Sequence, residues 1–159
     1  MSFISCEPRY VTYLTGLQRT DGIELSFKGF ITEDITVRGG VAYQDAELVK
    51  AEDNLQGNRP SKTSRLNGQF YVGYKQDSGW FGETGFVAVG ERFADRKNTL
   101  SLPGYARFDA RVGYEWNDWI AQLSIENLLD KEYYVSATGI GQIMPGDPRE
   151  FYLTTSYKF

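Results

Sequence analysis

Apolar residues recur at every second position over much of this chain, the period of a strand whose two faces meet different surroundings. From Ala106 to Trp116, Ala106, Phe108, Ala110, Val112, Tyr114 and Trp116 fall on one face, and Arg107, Asp109, Arg111, Gly113 and Glu115 on the other. Asn117-Asp118 supplies a two-residue turn, and Trp119, Ala121, Leu123 and Ile125 then resume the apolar face. That pattern predicts an antiparallel hairpin. The last run, from Arg149, sets Phe151, Leu153, Tyr157 and the terminal Phe159 against Tyr152, Thr154, Ser156 and Lys158.

The same reading extends upstream. It predicts a short strand over 9–15, a polar connection over 16–21, and a strand from Gly22 to Phe30 with Ile23, Leu25 and Phe27 on its apolar face. Thr32-Glu33-Asp34 is a tight turn, and Ile35 to Gln44 resumes the alternation, Gly39-Gly40 letting the wall bend or another backbone approach. A long polar loop is expected over 45–62, then a strand over 64–76, a sharp turn at Asp77-Ser78-Gly79, and a strand over 80–93 whose faces Gly82, Gly85 and Gly90 blur. Further long loops are expected at 94–102 and 131–148. Long loops therefore alternate with short turns, the asymmetry of a transmembrane barrel whose short turns face the periplasm and whose long loops face outside.

Alternation by itself does not name the solvent on either face. The aromatics do more. Trp116 and Trp119 bracket a short turn, while Tyr105, Tyr133 and Tyr134 cluster toward the opposite ends, with smaller aliphatic side chains between. An apolar band between two aromatic girdles suits a strand crossing a bilayer, because an indole or phenol settles among headgroups. The expected fold class is all-β, an antiparallel transmembrane β-barrel of about seven or eight strands.

Six motifs carry a resemblance. L-P-G-Y-A-R-F-D-A-R-V-G-Y (102–114), E-N-L-L-D-K-E-Y-Y (126–134) and P-G-D-P-R-E-F-Y-L-T-T-S-Y-K-F (145–159) follow G-I-E-L (22–25), G-V-A-Y-Q-D-A (40–46) and G-N-R-P (57–60). In this order and spacing they resemble the C-terminal barrel of TonB-dependent outer-membrane receptors, ferric-siderophore branch. The resemblance covers most of the chain. It implies that residues 1–159 are the C-terminal part of a barrel of roughly 22 strands, a third of the wall. It also implies a plug domain, and contact with the TonB energy coupler through N-terminal parts absent here. The transported ligand would be a ferric siderophore, and no covalent cofactor is expected. M-S-F-I-S-C-E-P-R-Y lacks the basic and apolar regions of a secretory signal, so the chain is expected to be a piece of a longer receptor.

Composition is compatible with this. Charged residues make up 24% and mean hydropathy is −0.43. No run approaches the roughly 18 apolar residues of a spanning helix, but in a barrel only alternate residues face lipid. Net charge −4, without a basic cluster, argues against a nucleic-acid partner. The absence of His removes imidazole metal ligands and His-dependent triads, and the single Cys6 excludes an internal disulfide.

Candidate chemistry is sparse. Glu126 with Asp130, or Glu83 with Glu91, offers paired carboxylates without a nucleophile, so no enzyme is expected. Arg107, Asp109 and Arg111 read as lumen-wall ion pairs, and Glu47, Glu52 and Asp53 as a loose oxygen cluster without ordered calcium spacing. Gly139-Ile140-Gly141 is too short to cradle phosphate. By analogy with the family, Arg59, Tyr133 and Tyr134 are loop candidates for ligand contact; alternatively the tyrosines belong to the outer girdle and Arg59 ties down its loop. Phe151, Leu153, Tyr157 and Phe159 resemble the C-terminal signal captured by barrel-assembly machinery, with Thr155 interrupting the series. Two other readings stay open: a self-contained eight-stranded outer-membrane barrel with a structural or adhesive role, and a soluble barrel for a small apolar ligand. Arg38, Arg107, Arg111 and Glu126 on the inner face argue against the second.

Overall fold

The computed structural model describes residues 16–51, 54–137 and 141–159. The strand expected over 9–15 lies outside them. Seven antiparallel strands form the main sheet: β1 (Leu17–Phe30), β2 (Ile35–Lys50), β3 (Leu66–Lys75), β4 (Trp80–Val89), β7 (Tyr105–Trp116), β8 (Trp119–Glu126) and β11 (Glu150–Tyr157), in that spatial order. Two small ribbons sit between these strands in sequence. One pairs β5 (Arg92–Phe93) with β6 (Ser101–Leu102), the other β9 (Tyr134–Ala137) with β10 (Ile143–Pro145).

One register row crosses the whole sheet: Gly29, Val37, Val72, Thr84, Ala110, Ile125 and Phe151. Half the sequence separation across successive short turns grows from 4 (Gly29 to Val37) to 6 (Val72 to Thr84) to 7.5 (Ala110 to Ile125). The stagger is thus close to one residue per strand. A rise of about 3.4 Å against a spacing of about 4.8 Å tilts the strands by roughly 35°, the range that barrel closure requires.

The outer face is apolar and open. Ile23, Leu25 and Leu153 are 78%, 62% and 76% exposed, in line with Phe27, Val41, Phe70, Phe108, Val112 and Phe151. Phe27, Phe70, Phe86 and Phe108 form a ladder of tilted rings 5.6–6.3 Å apart across the strands. Toward the short turns, Trp80, Tyr114, Trp116, Trp119, Tyr157 and Phe159 make a second, continuous ladder with centroids 4.9–6.4 Å apart. From Ala106 to Trp116 the chain rises about 34 Å along the strand, about 28 Å along the normal at this tilt, enough to span the apolar band of an outer membrane.

Three expectations are corrected. Residues 17–21, part of the expected connection, belong to β1, and β2 runs on to Lys50 instead of stopping at Gln44. Above Tyr43 the polarity inverts: Ala46 and Leu48 are buried, while Asp45 and Glu47 lie on the other face, pairing with Arg65 and Arg19. Such an inverted pattern suits a strand that has left lipid for water. The strand expected over 80–93 breaks at Gly90, whose N–H donates to Leu66 O at 2.8 Å and where a Cβ would strike that same oxygen. The remainder folds back as the first ribbon.

The girdle at the loop end differs as well. Tyr105 pairs with Val89 on the inner side, and its ring lies 4.4 Å from that of Tyr133, which is only 6% exposed. These two tyrosines face each other rather than lipid.

Candidate functional site

The inner face of the sheet is a wall of shared charges. Glu83, its side chain 13% exposed, accepts a forked pair from Arg38 (Nη2 to Oε1 2.8 Å, Nε to Oε2 3.1 Å), and Arg111 Nη2 approaches Oε1 at 3.3 Å. Register explains the meeting: Glu83 lies opposite Arg111 on β7 and opposite Gly73 on β3, and the missing side chain at Gly73 lets Arg38 reach across. Arg38 also lies 4.0 Å from the ring centre of Tyr71, its register partner. Lower down, Glu115 takes Lys75 at 3.2 Å and Lys158 at 3.1 Å. Higher up, Arg107 bridges Asp109 at 3.0 Å and Glu126 at 3.4 Å. The expected lumen-wall ion pairs are therefore present, with partners the alternation alone did not name.

Above the wall the three long connections are knitted together. Arg59 N–H donates to Asn98 Oδ1 (2.9 Å) and Asn98 Nδ2 donates back to Arg59 O (2.8 Å). Asn58 Nδ2 reaches Arg96 O at 3.0 Å, and Lys62 N–H reaches Phe93 O at 2.7 Å. Asn98 holds φ +57°, a conformation asparagine tolerates better than most side chains. Asp95 caps the turn beneath it, accepting from the N–H of Leu100 (2.9 Å) and from the N–H and hydroxyl of Thr99. Those donors, the Leu100 N–H foremost, hold its carboxyl below the ordinary aspartate range.

Arg92, 4% exposed, links the first ribbon to the second through the carbonyls of Tyr134 and Val135, with its guanidinium 5.4 Å from the centre of the Tyr105 ring. Beside it, Ala94, Leu102 and Ala137 form a small core with Leu100 packed against them. Asn127 is 1% exposed and organises the last loop. Its Nδ2 donates to Lys131 O and Asp147 O, both at 3.0 Å, and its Oδ1 accepts from Lys131 N–H at 2.8 Å. Its own N–H donates to Asp109 Oδ1 at 3.0 Å, tying loop to wall. A cavity of about 400 Å³ lies alongside, lined by Asp130, Glu132, Tyr133, Tyr134 and Asp147 among others.

The sequence candidates are thereby separated. Tyr133 and Tyr134 line one cavity, Tyr133 buried with its ring against Gly146 and Tyr134 44% exposed. Arg59 instead packs its guanidinium 5.2 Å from the centre of the Phe93 ring and is bound to Asn98, in the neighbouring loop pair. Glu83 belongs to the inner triad, away from the exposed Glu91, and Asp130 accepts from Arg149 N–H. Glu52, Asp53, Gly139 and Ile140 lie outside the described residues. Among the described residues no group of three His, Cys, Asp or Glu side chains is placed to hold a metal. Asn98, Arg92 and Asn127 were missed as organising residues. The signal available for two of them was an asparagine within a polar, turn-forming run.

Phe151, Leu153 and Tyr157 share the outer face of β11, a strand at the sheet's edge paired to β8. The Tyr157 ring bridges Trp119 and Phe159.

A tilted antiparallel sheet, apolar outside, ion-paired inside, with short turns at one end and knitted loops at the other, is the wall of an outer-membrane type of β-barrel. The chain belongs to the TonB-dependent receptor-like β-barrel family, whose model matches residues 2–128. It is 28% identical over 150 residues to the metal-pseudopaline receptor of Pseudomonas aeruginosa, covering 91% of this chain and 21% of that protein. Against the ferrioxamine receptor of Yersinia enterocolitica it is 28% identical over 155 residues, with the same shares, 91% and 21%. The crystal structure of the siderophore receptor PiuA from Acinetobacter baumannii superimposes with TM-score 0.80 at 27% identity, covering 91% of this chain and 22% of that one. The chain thus spans about a fifth of the length of the relatives it matches. These relatives are receptors, not enzymes.

Proposed function

We propose that this chain is the C-terminal part of the barrel of an outer-membrane receptor that takes up ferric siderophores. The observation that carries the reading is the pairing of a lipid-compatible outer face with an ion-paired inner wall in a chain similar to siderophore receptors over 91% of its length. The ferric chelate is cargo, held above the wall by the loop assembly, with Tyr134 and the cavity it shares with Tyr133 as the contact surface. The buried Tyr133 ring positions that cavity, and Arg59 fixes the neighbouring loops. Energy reaches the receptor from TonB through polypeptide outside this chain, and Phe151, Leu153, Tyr157 and Phe159 present the edge strand to barrel-assembly machinery. The eight-stranded alternative is disfavoured by the likeness to receptors about five times longer.

The test is iron-55 uptake by a receptor-deficient outer-membrane host expressing the complete gene, offered a panel of ferric hydroxamate, catecholate and carboxylate chelates. Uptake of one class, abolished when the TonB system is removed, is the expected outcome. A properly assembled barrel that transports none of them overturns the proposal.

A further inference from the structure

The second ribbon is out of step with itself. Ile143, Met144 and Pro145 pair with Ala137, Ser136 and Tyr134, so β9 takes three steps where β10 takes two, and Val135 is left without a partner. That is a β-bulge, a device that re-aims the side chains beside it. Here one of them is Tyr134, 44% exposed and lining the cavity next to the last loop.

Both sides of the bulge are pinned. On one, the Tyr133 ring packs against Tyr105 and Gly146, and Gly146 N–H donates to Tyr133 O at 2.8 Å. On the other, Ala137 is buried in the small core with Ala94 and Leu102. One surplus residue must be absorbed between these points, and strand pairing alone does not choose it. Were Tyr134 the residue skipped, Val135 would stand opposite Pro145 and the tyrosine would lose its place on the cavity. Arg92 makes the choice. In a regular strand the carbonyls of neighbouring residues point to opposite sides, but Tyr134 O and Val135 O both accept from Arg92 Nη2, the second at 3.0 Å. The clamp itself is firmly held: Arg92 is 4% exposed, and its ribbon is anchored by Lys62 N–H on Phe93 O (2.7 Å) and Ala94 N–H on Leu100 O (2.8 Å).

We propose that Arg92 is a positioning residue for chelate binding, which fixes the bulge at Val135 and thereby presents Tyr134 to the cavity. The inference rests on the receptor reading above, in which Tyr134 belongs to the contact surface. Arg92 is buried and lies outside the cavity lining, so it acts through the tyrosine and not by touching the chelate. Its effect is on how tightly the chelate is held, because the barrel that carries it onward is built elsewhere in the sheet.

The experiment uses the complete receptor and the iron-55 chelate, from the hydroxamate, catecholate and carboxylate panel, that the wild type takes up, with heat-modifiable gel mobility reporting barrel assembly. Tyr134→Ala should raise the half-saturating concentration roughly tenfold and leave the maximal rate unchanged. Arg92→Ala should do the same, and the double variant should go no further, since the second change removes what the first positions. Arg92→Lys, one bond shorter and still charged, should fall between wild type and Arg92→Ala. If Arg92→Ala fails to assemble, the lysine variant by itself should still show a several-fold rise. Assembled Arg92 variants with the wild-type half-saturating concentration overturn the inference, as do single effects that multiply in the double variant. A fall in maximal rate alone also overturns it, and would assign Arg92 to loop or barrel assembly. A wild-type receptor that takes up no chelate instead sinks the receptor reading, and a Tyr134→Ala receptor that saturates like the wild type sinks the contact surface on which the inference stands.

Discussion

Arg38 and Glu83, separated by 45 residues in sequence, meet in a forked pair at 2.8 and 3.1 Å because Gly73, opposite Glu83 on the strand between them, has no side chain in the way. Glu83 is also shared with Arg111, so removing it strands two guanidinium groups side by side. Glu83→Gln is therefore expected to destabilise the barrel by about 2 kcal/mol, below the full cost of breaking a buried pair because both arginines are partly solvated. Urea unfolding in lipid vesicles reads this directly. Arg65→Ala, which breaks the exposed pair with Asp45 near the loops, should change stability by no more than about 0.5 kcal/mol.

Asn127 satisfies three backbone groups of the last loop from a buried position, with φ at +51°. Alanine there loses those bonds, leaves carbonyls unpaired and is strained in the left-handed region, so Asn127→Ala should cost about 2–4 kcal/mol. The loss should appear as faster amide exchange over 128–149, with β7 and β8 unchanged. Uniform loss of protection across the sheet would contradict the assignment of Asn127 to the loop.

Asp95 supplies a pH dependence with a definite sign. Its carboxyl titrates below the ordinary value of 3.8 because the ionised form accepts from Leu100 and Thr99. A folded-state pKa below the unfolded one contributes stability that is complete above the unfolded value and is lost as pH falls through the folded value. The protection of the 95–100 turn, its exchange rate relative to that of an unstructured amide at the same pH, should therefore be constant from pH 8 down to about 5 and fall only below about 4. In Asp95→Asn that acid step should disappear, with the turn looser at every pH.

Much of the fold was legible because alternate residues fall on an apolar and a charged face, and the pattern stays strong from Tyr105 to Glu126. It failed where the medium changes. At Gln44 and Asp45 the apolar side moves inward to Ala46 and Leu48, so a continuous strand reads as a broken period. Tyr105 was misplaced for a related reason: an aromatic near the loops suggested a girdle, but its parity puts it inside, against Tyr133. The loop organisers were not legible. Asn98, Asn127 and Arg92 act through the backbone atoms of residues brought close only by folding, and no local spacing records that.

Leu153 and Thr154 are neighbours that face opposite media, the first outward and 76% exposed, the second toward the inner wall across from Gln122. If the apolar face meets lipid, Leu153→Arg places a cation in hydrocarbon and should cost about 2–4 kcal/mol, whereas Thr154→Arg on the water-side face should cost little. The same substitution at Tyr157, in the aromatic ladder beside Trp119, should cost less than at Leu153, because headgroups and water lie within reach. Folding free energies in vesicles of the complete receptor would rank the three. Equal costs at Leu153 and Thr154 would show that the two faces see the same solvent, and the sheet would then have to be covered on its apolar side by protein.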